Sequence, residues 1–128
     1  MSGLWEVVYY EEEDGTQPVK DFLQDPSLTS GELKQFRVRL YLLSVKGLSL
    51  LVERSDILDK IETEDNLYEL RLDNTPNNPR IFLCALTGKR LVLLHAFKKK
   101  SRKTPRSEID IAARRRDLVI AKEEESNQ

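Results

Sequence analysis

The chain has 128 residues, of which 39% are hydrophobic and 34% charged, and its formal net charge is −1. This length and composition fit one folded domain and exclude a chain that is disordered throughout. With one cysteine and one histidine, the chain has neither a disulfide pair nor a zinc motif, so we expect no metal and no cofactor. We also expect a cytoplasmic protein without a membrane segment, because no apolar stretch could span a bilayer.

The charge is distributed unevenly along the chain. Residues 89–116 carry 11 Lys and Arg against 2 Asp and Glu, whereas residues 1–88 carry 9 against 16. A concentrated positive segment in a nearly neutral chain indicates a polyanionic partner. A solvated charged helix is the commoner meaning of a charge run, but here nearly all of the charge has one sign.

The first half of the chain predicts one strand and two helices. Residues 4–10 are aromatic and β-branched, which predicts a strand, and a short helix is expected to begin at Pro18. A capping-box pattern at Thr29 precedes an amphipathic repeat, which predicts a helix over residues 29–46. Residues 48–66 have no clean period and predict an irregular linker with a short strand or a helical turn.

The second half predicts three more strands and one helix. The strands are expected at residues 67–73, 80–87 and 90–97, and a two-residue turn joins the last two. Thr104 and Pro105 predict the start of a helix that continues to about Lys122. We expect one α+β domain over residues 1–122, with an antiparallel sheet, and an acidic, frayed tail at residues 123–128.

Several motifs occur in a specific order from residue 67 onward. They are Leu67-Tyr68-Glu69-Leu70-Arg71, Arg80-Ile81-Phe82, Leu93-Leu94-His95-Ala96-Phe97-Lys98-Lys99 and Lys103-Thr104-Pro105. In this order and spacing they resemble the phage-derived HigB-like toxins of the RelE/ParE superfamily, and the resemblance extends over nearly the whole chain. It implies a RelE-like fold, in which helices at both ends of the chain pack against one side of a curved antiparallel sheet of about four strands.

The resemblance also implies the toxin of a type II toxin–antitoxin system. Many such toxins are ribosome-dependent endoribonucleases that cleave messenger RNA, and they form hetero-oligomers with a helix-turn-helix antitoxin. The ParE branch shares the fold but poisons DNA gyrase, so the fold alone does not decide the function. Two alternatives therefore stand beside the ribonuclease: a non-enzymatic toxin that binds gyrase, and an inactive module that binds nucleic acid or the antitoxin.

Metal-free RNA cleavage requires cations around the scissile phosphate, a proton acceptor and a proton donor. Arg80 and Arg71 are the first candidates for binding the phosphate. Arg80 is expected at the edge or mouth of the sheet, because it opens an otherwise apolar strand. The alternative is that either arginine pairs with Glu69 or Asp73 on the sheet surface.

Further candidates lie in the last strand and after it. Lys98 and Lys99 can bind phosphate or transfer a proton, or else belong to a solvated loop that binds antitoxin carboxylates. His95 titrates near neutrality but has apolar neighbours, so it is either catalytic or a hydrogen-bonded core residue. Additional RNA-binding residues are expected at Lys100, Arg102, Lys103 and Arg106. The two arginines and the three consecutive lysines are expected to meet in one anion-binding pocket.

Overall fold

The computed structural model describes residues 3–127, in which a five-stranded sheet is combined with four α-helices. The strands are β1 (Glu6–Tyr9), β2 (Leu58–Lys60), β3 (Tyr68–Arg71), β4 (Pro79–Leu86) and β5 (Arg90–Lys98). The helices are α1 (Pro18–Phe22), α2 (Ser30–Lys46), α3 (Leu50–Glu53) and α4 (Arg106–Ser126), with a 3-10 turn at Gly47–Ser49. None of these helices is both long enough and apolar enough to cross a membrane.

The sheet has the strand order β1-β5-β4-β3-β2. Neighbouring strands are antiparallel except β1 and β5, which are parallel. The α+β class is confirmed, but the expected antiparallel sheet of about four strands is wrong in two respects. A fifth strand, β2, forms within residues 48–66, and the pairing of β1 makes the sheet mixed. A parallel pair needs a long crossover connection, and most of the chain lies between these two strands.

Helices cover both faces of the sheet. On one face, Phe36 of α2 shares a buried cluster with Leu83 of β4. On the opposite face, Ile109 of α4 shares a second cluster with Phe82, also of β4. The expectation that the helices lie against one side is therefore wrong. Both faces of the central strand β4 are apolar, and each must be shielded from solvent by a packed helix.

Local signals place α2 as the sequence predicts. Thr29 Oγ1 accepts a hydrogen bond from the Glu32 backbone N–H at 3.1 Å, and the Glu32 carboxylate accepts one from the Thr29 N–H at 2.9 Å. This capping box fixes the first turn of the helix. Gly47, with a φ of 56°, ends it, and the Trp5 ring occupies the space that a Cβ would need there.

Three local boundaries differ from the prediction. Helix α4 begins at Arg106 after Pro105, and no side chain caps its first turn, so Thr104 is not the N-cap. The helix also continues to Ser126, beyond its expected end. The hairpin between β4 and β5 has three loop residues, 87–89, rather than two.

The register of the central strands arranges side chains in rows on the α4 face. Arg71 lies opposite Arg80, and Arg80 lies opposite Phe97. The next row contains Asp59, Glu69, Phe82 and His95. Because β3 ends, β4 begins and β5 ends beside the first of these rows, three chain segments meet at one end of the sheet.

Candidate nucleic-acid interface

The loop between β5 and α4 contains four cationic side chains, and we call residues 99–103 the cationic loop. The four are Lys99, Lys100, Arg102 and Lys103. Lys99 is half-buried and the other three are exposed, and none forms an ion pair with any residue in 3–127. The Ser101 hydroxyl donates a hydrogen bond to the Lys103 carbonyl at 2.8 Å, which bends the loop. Like charges this close repel one another, so an anionic ligand would relieve the repulsion.

An open cleft of about 530 Å³ lies beside the cationic loop. It is lined by Asp73, Asn74, Asn78, Arg80, Lys99, Lys100, Ser101 and Arg102. Four of these side chains are cationic and one is anionic, so the cleft carries a net positive charge. Its volume falls within the range of small-molecule sites, about 300–1,000 Å³, and is sufficient for a phosphate with its neighbouring groups.

The wall opposite the cationic loop is the turn at residues 74–78. Asn74 and Asn78 have left-handed φ values of 62° and 41°, which asparagine tolerates better than most residues. Behind the turn, the Glu32 carboxylate accepts hydrogen bonds from the Asn77 backbone N–H at 2.9 Å and from Asn77 Nδ2 at 2.8 Å. Burial would raise the pKa of Glu32, but these and other hydrogen bonds lower it to about 2. An ionised carboxylate therefore fixes this wall at neutral pH.

Arg80 is part of the cleft, but its guanidinium is already bound within the protein. Nη1 donates to the Leu72 carbonyl and Nη2 to Asp73 Oδ1, both at 2.7 Å. Nε lies 3.5 Å from Glu69 Oε2, and Arg80 is only 5% exposed. The sequence placed Arg80 at the edge or mouth of the sheet. The edge is wrong, because β4 is central in the sheet, and Arg80 lies at the start of this strand, where it lines the cleft. Pairing with Glu69 and Asp73, the alternative raised by the sequence, is what the structure contains.

Arg71 lies beside Arg80 in the sheet but does not line the cleft. Its Nη2 donates to Asp59 Oδ2 at 2.7 Å and lies 3.4 Å from Glu69 Oε1. Glu69 therefore lies between the two arginines. Three atoms of this cluster, Glu69 Oε2, Arg71 Nε and Arg80 Nε, are buried without a hydrogen-bond partner. The charge of Arg71 is thus compensated by carboxylates, and the expected convergence on one pocket does not include it.

Lys98 faces away from the cleft. Its Nζ lies 3.2 Å from Asp25 Oδ2 and also contacts the Ser27 hydroxyl, beyond the end of α1. Lys98 is the last residue of β5, and the Lys99 backbone N–H still donates to the Asn78 carbonyl at 3.1 Å. The alternation of the strand therefore continues through this pair and directs the two side chains to opposite faces. The prediction that three consecutive lysines meet in one pocket is wrong for Lys98 and correct for Lys99 and Lys100.

His95 lies between β5 and α4 and lines neither the cleft nor the smaller cavity beyond it. Its Nε2 is 2.6 Å from Glu108 Oε1, its Nδ1 is 3.4 Å from Arg115 Nη1, and its ring stacks on Phe97 with centroids 5.8 Å apart. Burial lowers the pKa of His95, an effect that Glu108 opposes and Arg115 reinforces. These contacts match the hydrogen-bonded core residue that the sequence left open as the alternative to catalysis.

A smaller cavity of about 470 Å³ lies on the other side of the cationic loop. Lys103 and Arg106 both line it, but they differ in what binds them. Arg106 donates to Glu64 and to Asp110, each at 2.8 Å, whereas Lys103 has no ion pair within residues 3–127. Of the RNA-binding residues predicted after β5, Lys100, Arg102 and Lys103 are therefore available to a ligand and Arg106 is engaged.

Sequence reasoning missed four residues of the cleft as site residues: Asp73, Asn74, Asn78 and Ser101. Asp73 and Asn74 follow the end of β3 after Leu72, and Asn78 directly precedes β4. The signal was present, because the end of one antiparallel strand and the start of the next must lie beside each other, next to the end of β5. The prediction considered only cations for the phosphate, and so it treated Asp73 as a surface partner.

Comparison with known proteins assigns the chain to a family. A family model described as phage-derived protein Gp49-like (DUF891) matches residues 27–117. The match covers more than half of the chain and includes every residue that lines the cleft. No curated protein matches the sequence.

Proposed function

Because the chain belongs to the phage-derived Gp49-like family, we propose that it is the RelE-like toxin of a type II toxin–antitoxin system and that its cleft binds messenger RNA at the ribosome. In this proposal the toxin cleaves the RNA backbone without a metal ion. A helix-turn-helix antitoxin would neutralise it, and the HigB-like motifs at residues 67–71 and 93–105 support this reading.

The observation that carries the proposal is the set of unpaired cations beside Arg80. Lys99, Lys100 and Arg102 line one open cleft, and none of them is neutralised by a carboxylate within residues 3–127. Such cations displace the counterions around phosphates and give affinity for RNA that depends on salt but not on sequence. A site of this kind suits a nuclease that relies on the ribosome to present its substrate.

The cations of the cleft can serve two of the roles that metal-free cleavage requires, charge stabilisation and proton donation. Attack of a ribose 2′-hydroxyl on the adjacent phosphate builds negative charge on the phosphorane, which Lys99, Lys100 and Arg102 are placed to stabilise. An ammonium group of Lys99 or Lys100 can also protonate the departing 5′-oxygen. The products would be a 2′,3′-cyclic phosphate and a 5′-hydroxyl.

The proposal is tested by inducing the chain in bacteria and mapping the 5′ ends of transcripts. Wild type should arrest growth and translation and should generate new 5′-hydroxyl ends within translated messages. Lys99→Gln/Lys100→Gln should lose both effects, because it removes two cations from the cleft. Lys34→Gln is the matched control, since Lys34 is exposed on α2 and has no ion pair within residues 3–127.

The same experiment separates the ribonuclease from the other branch of the superfamily. Growth arrest with an SOS response and intact transcripts would contradict the nuclease and indicate a toxin that binds gyrase. Growth arrest that survives Lys99→Gln/Lys100→Gln unchanged would contradict the assignment of the cleft. Absence of any toxicity, with retained RNA binding, would indicate an inactive binding module.

A further inference from the structure

One carboxylate lies among the cations of the cleft. Asp73 lines it together with Lys99, Lys100 and Arg102, and its side chain is 51% exposed. A carboxylate in a site that attracts phosphate weakens binding through repulsion of like charges. Affinity for phosphate therefore does not explain why the Asp73 carboxylate lies in the cleft.

Arg80 holds Asp73 in one orientation. The guanidinium is anchored by its Nη1 bond to the Leu72 carbonyl and lies against Glu69, and from that position Nη2 donates to Asp73 Oδ1 at 2.7 Å. No hydrogen bond or ion pair within residues 3–127 involves the second oxygen, Oδ2. Asp73 thus presents one bound oxygen and one free oxygen, the arrangement expected of an oriented proton acceptor.

The other carboxylates near the site do not meet these conditions. Glu69 is buried between Arg71 and Arg80, and its side chain is only 8% exposed. Glu108 binds His95 at 2.6 Å and does not line the cleft. Among the residues that line the cleft, Asp73 is the only carboxylate.

We infer that Asp73 is the general base of the cleavage reaction, an inference that rests on the proposed function. Asp73 Oδ2 takes the proton of the 2′-hydroxyl, and the 2′-oxygen forms a bond to phosphorus. The bond from phosphorus to the 5′-oxygen breaks, and the leaving oxygen takes a proton from the ammonium group of Lys99 or Lys100. Asp73 then returns its proton to solvent and the lysine regains one, so the enzyme is unchanged. In this scheme Arg80 is a positioning residue and Asp73 a catalytic residue.

The test uses ribosomes programmed with a short messenger RNA and compares wild type with Asp73→Asn. Asparagine keeps an oxygen that can accept from Arg80 but cannot take a proton at neutral pH. Cleavage should fall by about 100-fold to 10,000-fold, the usual contribution of a general base. Affinity for the same complex carrying a non-cleavable 2′-deoxyribose message should stay the same or rise, since a negative charge has left the cleft.

Two further variants keep the test decisive. Asp73→Ala should be inactive but partly rescued by added formate or acetate, which can act as the base in the space left behind. Asp21→Asn is the matched control, because Asp21 is exposed on α1 and has no ion pair within residues 3–127.

The outcomes distinguish failure of the base assignment from failure of the nuclease proposal. Active wild type with equally active Asp73→Asn would overturn the base assignment and leave the nuclease proposal intact. Asp73→Asn that both binds and cleaves better would also overturn it, and would make Asp73 a competitor for the phosphate. Wild type that cleaves no message would overturn both.

Discussion

Two groups of cations occupy the positive segment at residues 89–116, and they differ in what surrounds them. Three of the four α4 arginines are paired: Arg106 and Arg116 share Glu64, and Arg115 pairs with Glu12 at 3.2 Å. The fourth, Arg114, is exposed and has no ion pair within residues 3–127. The cations of the cationic loop have no ion pair within residues 3–127. Both groups lie in the same positive segment of the sequence, so membership of that segment does not decide which charges are available to a ligand. The acidic residues that the fold brings alongside decide it.

Arg80 combines features of both groups, because it lines the cleft but is bound like the paired α4 arginines. We expect Arg80→Ala to lower the free energy of unfolding by about 3–5 kcal/mol, since it removes the cation 3.5 Å from the buried Glu69 carboxylate and the hydrogen-bond donor to the Leu72 carbonyl. Urea denaturation measures this decrease, with Arg102→Ala as a control that should change stability by less than about 0.5 kcal/mol. An Arg80→Ala protein as stable as wild type would contradict the structural role of Arg80.

Neutralising the cationic loop should have the next largest effect. Gln at all four positions, Lys99, Lys100, Arg102 and Lys103, should weaken binding of single-stranded RNA on the order of 100-fold at low salt. The slope of log K against log salt should fall by about 3, at about 0.7 for each phosphate that the protein no longer neutralises. Binding measured by fluorescence anisotropy over a salt series tests this, and an unchanged slope would exclude the loop as the RNA-binding surface.

Removing a paired cation from α4 should lower stability and leave RNA affinity unchanged, the reverse of the effect expected for the cationic loop. Arg116→Gln removes the hydrogen bonds to Glu64 and to the Asp65 carbonyl, and should lower the free energy of unfolding by about 1–2 kcal/mol. RNA affinity should stay within about twofold of wild type, because this charge is already compensated. Reduced affinity at full stability would show that the α4 arginines also bind RNA and would remove the distinction between the two groups.

The smallest effect is expected on the pH dependence of stability, at His95. This residue of β5 is bound by side chains of α4. Burial lowers its pKa below the ordinary value of 6.5 in the folded protein, so the unfolded chain takes up protons first as pH falls. The stability this group contributes is complete above pH 6.5 and is lost as pH falls through the folded pKa. His95→Gln should flatten this part of a stability-versus-pH curve, and an identical slope in both proteins would contradict it.

Elements with strong local signals were predictable from the sequence. The capping box at Thr29 specified α2, and Pro18 specified the start of α1. The pairing of β1 with β5 was not predictable, because it depends on contacts between residues far apart in sequence. The apolar composition of β4 on both faces did indicate two covering layers, but the family resemblance favoured one.

The cations of the site were predictable from the sequence, and so was the alternative that Arg80 pairs with Glu69 and Asp73, but other ion-pair partners were not. Lys99, Lys100 and Arg102 were identified from charge alone, and they line the cleft. Extending the strand alternation past residue 97, where the predicted strand ended, could have separated Lys98 from Lys99, since neighbouring residues of an extended chain face opposite sides. The pairing of Arg71 with Asp59 required β2, which had no clear pattern in the sequence.

The most direct test of the RNA-binding cleft is a titration of ¹⁵N-labelled protein with a non-cleavable RNA, followed by NMR. The largest changes in amide chemical shift should fall at residues 99–103 and at Asn74 and Asn78, with the amides of residues 110–122 in α4 nearly unchanged. Shifts concentrated on α4 or α2, with the cationic loop unaffected, would contradict the location of the site and the function proposed for it.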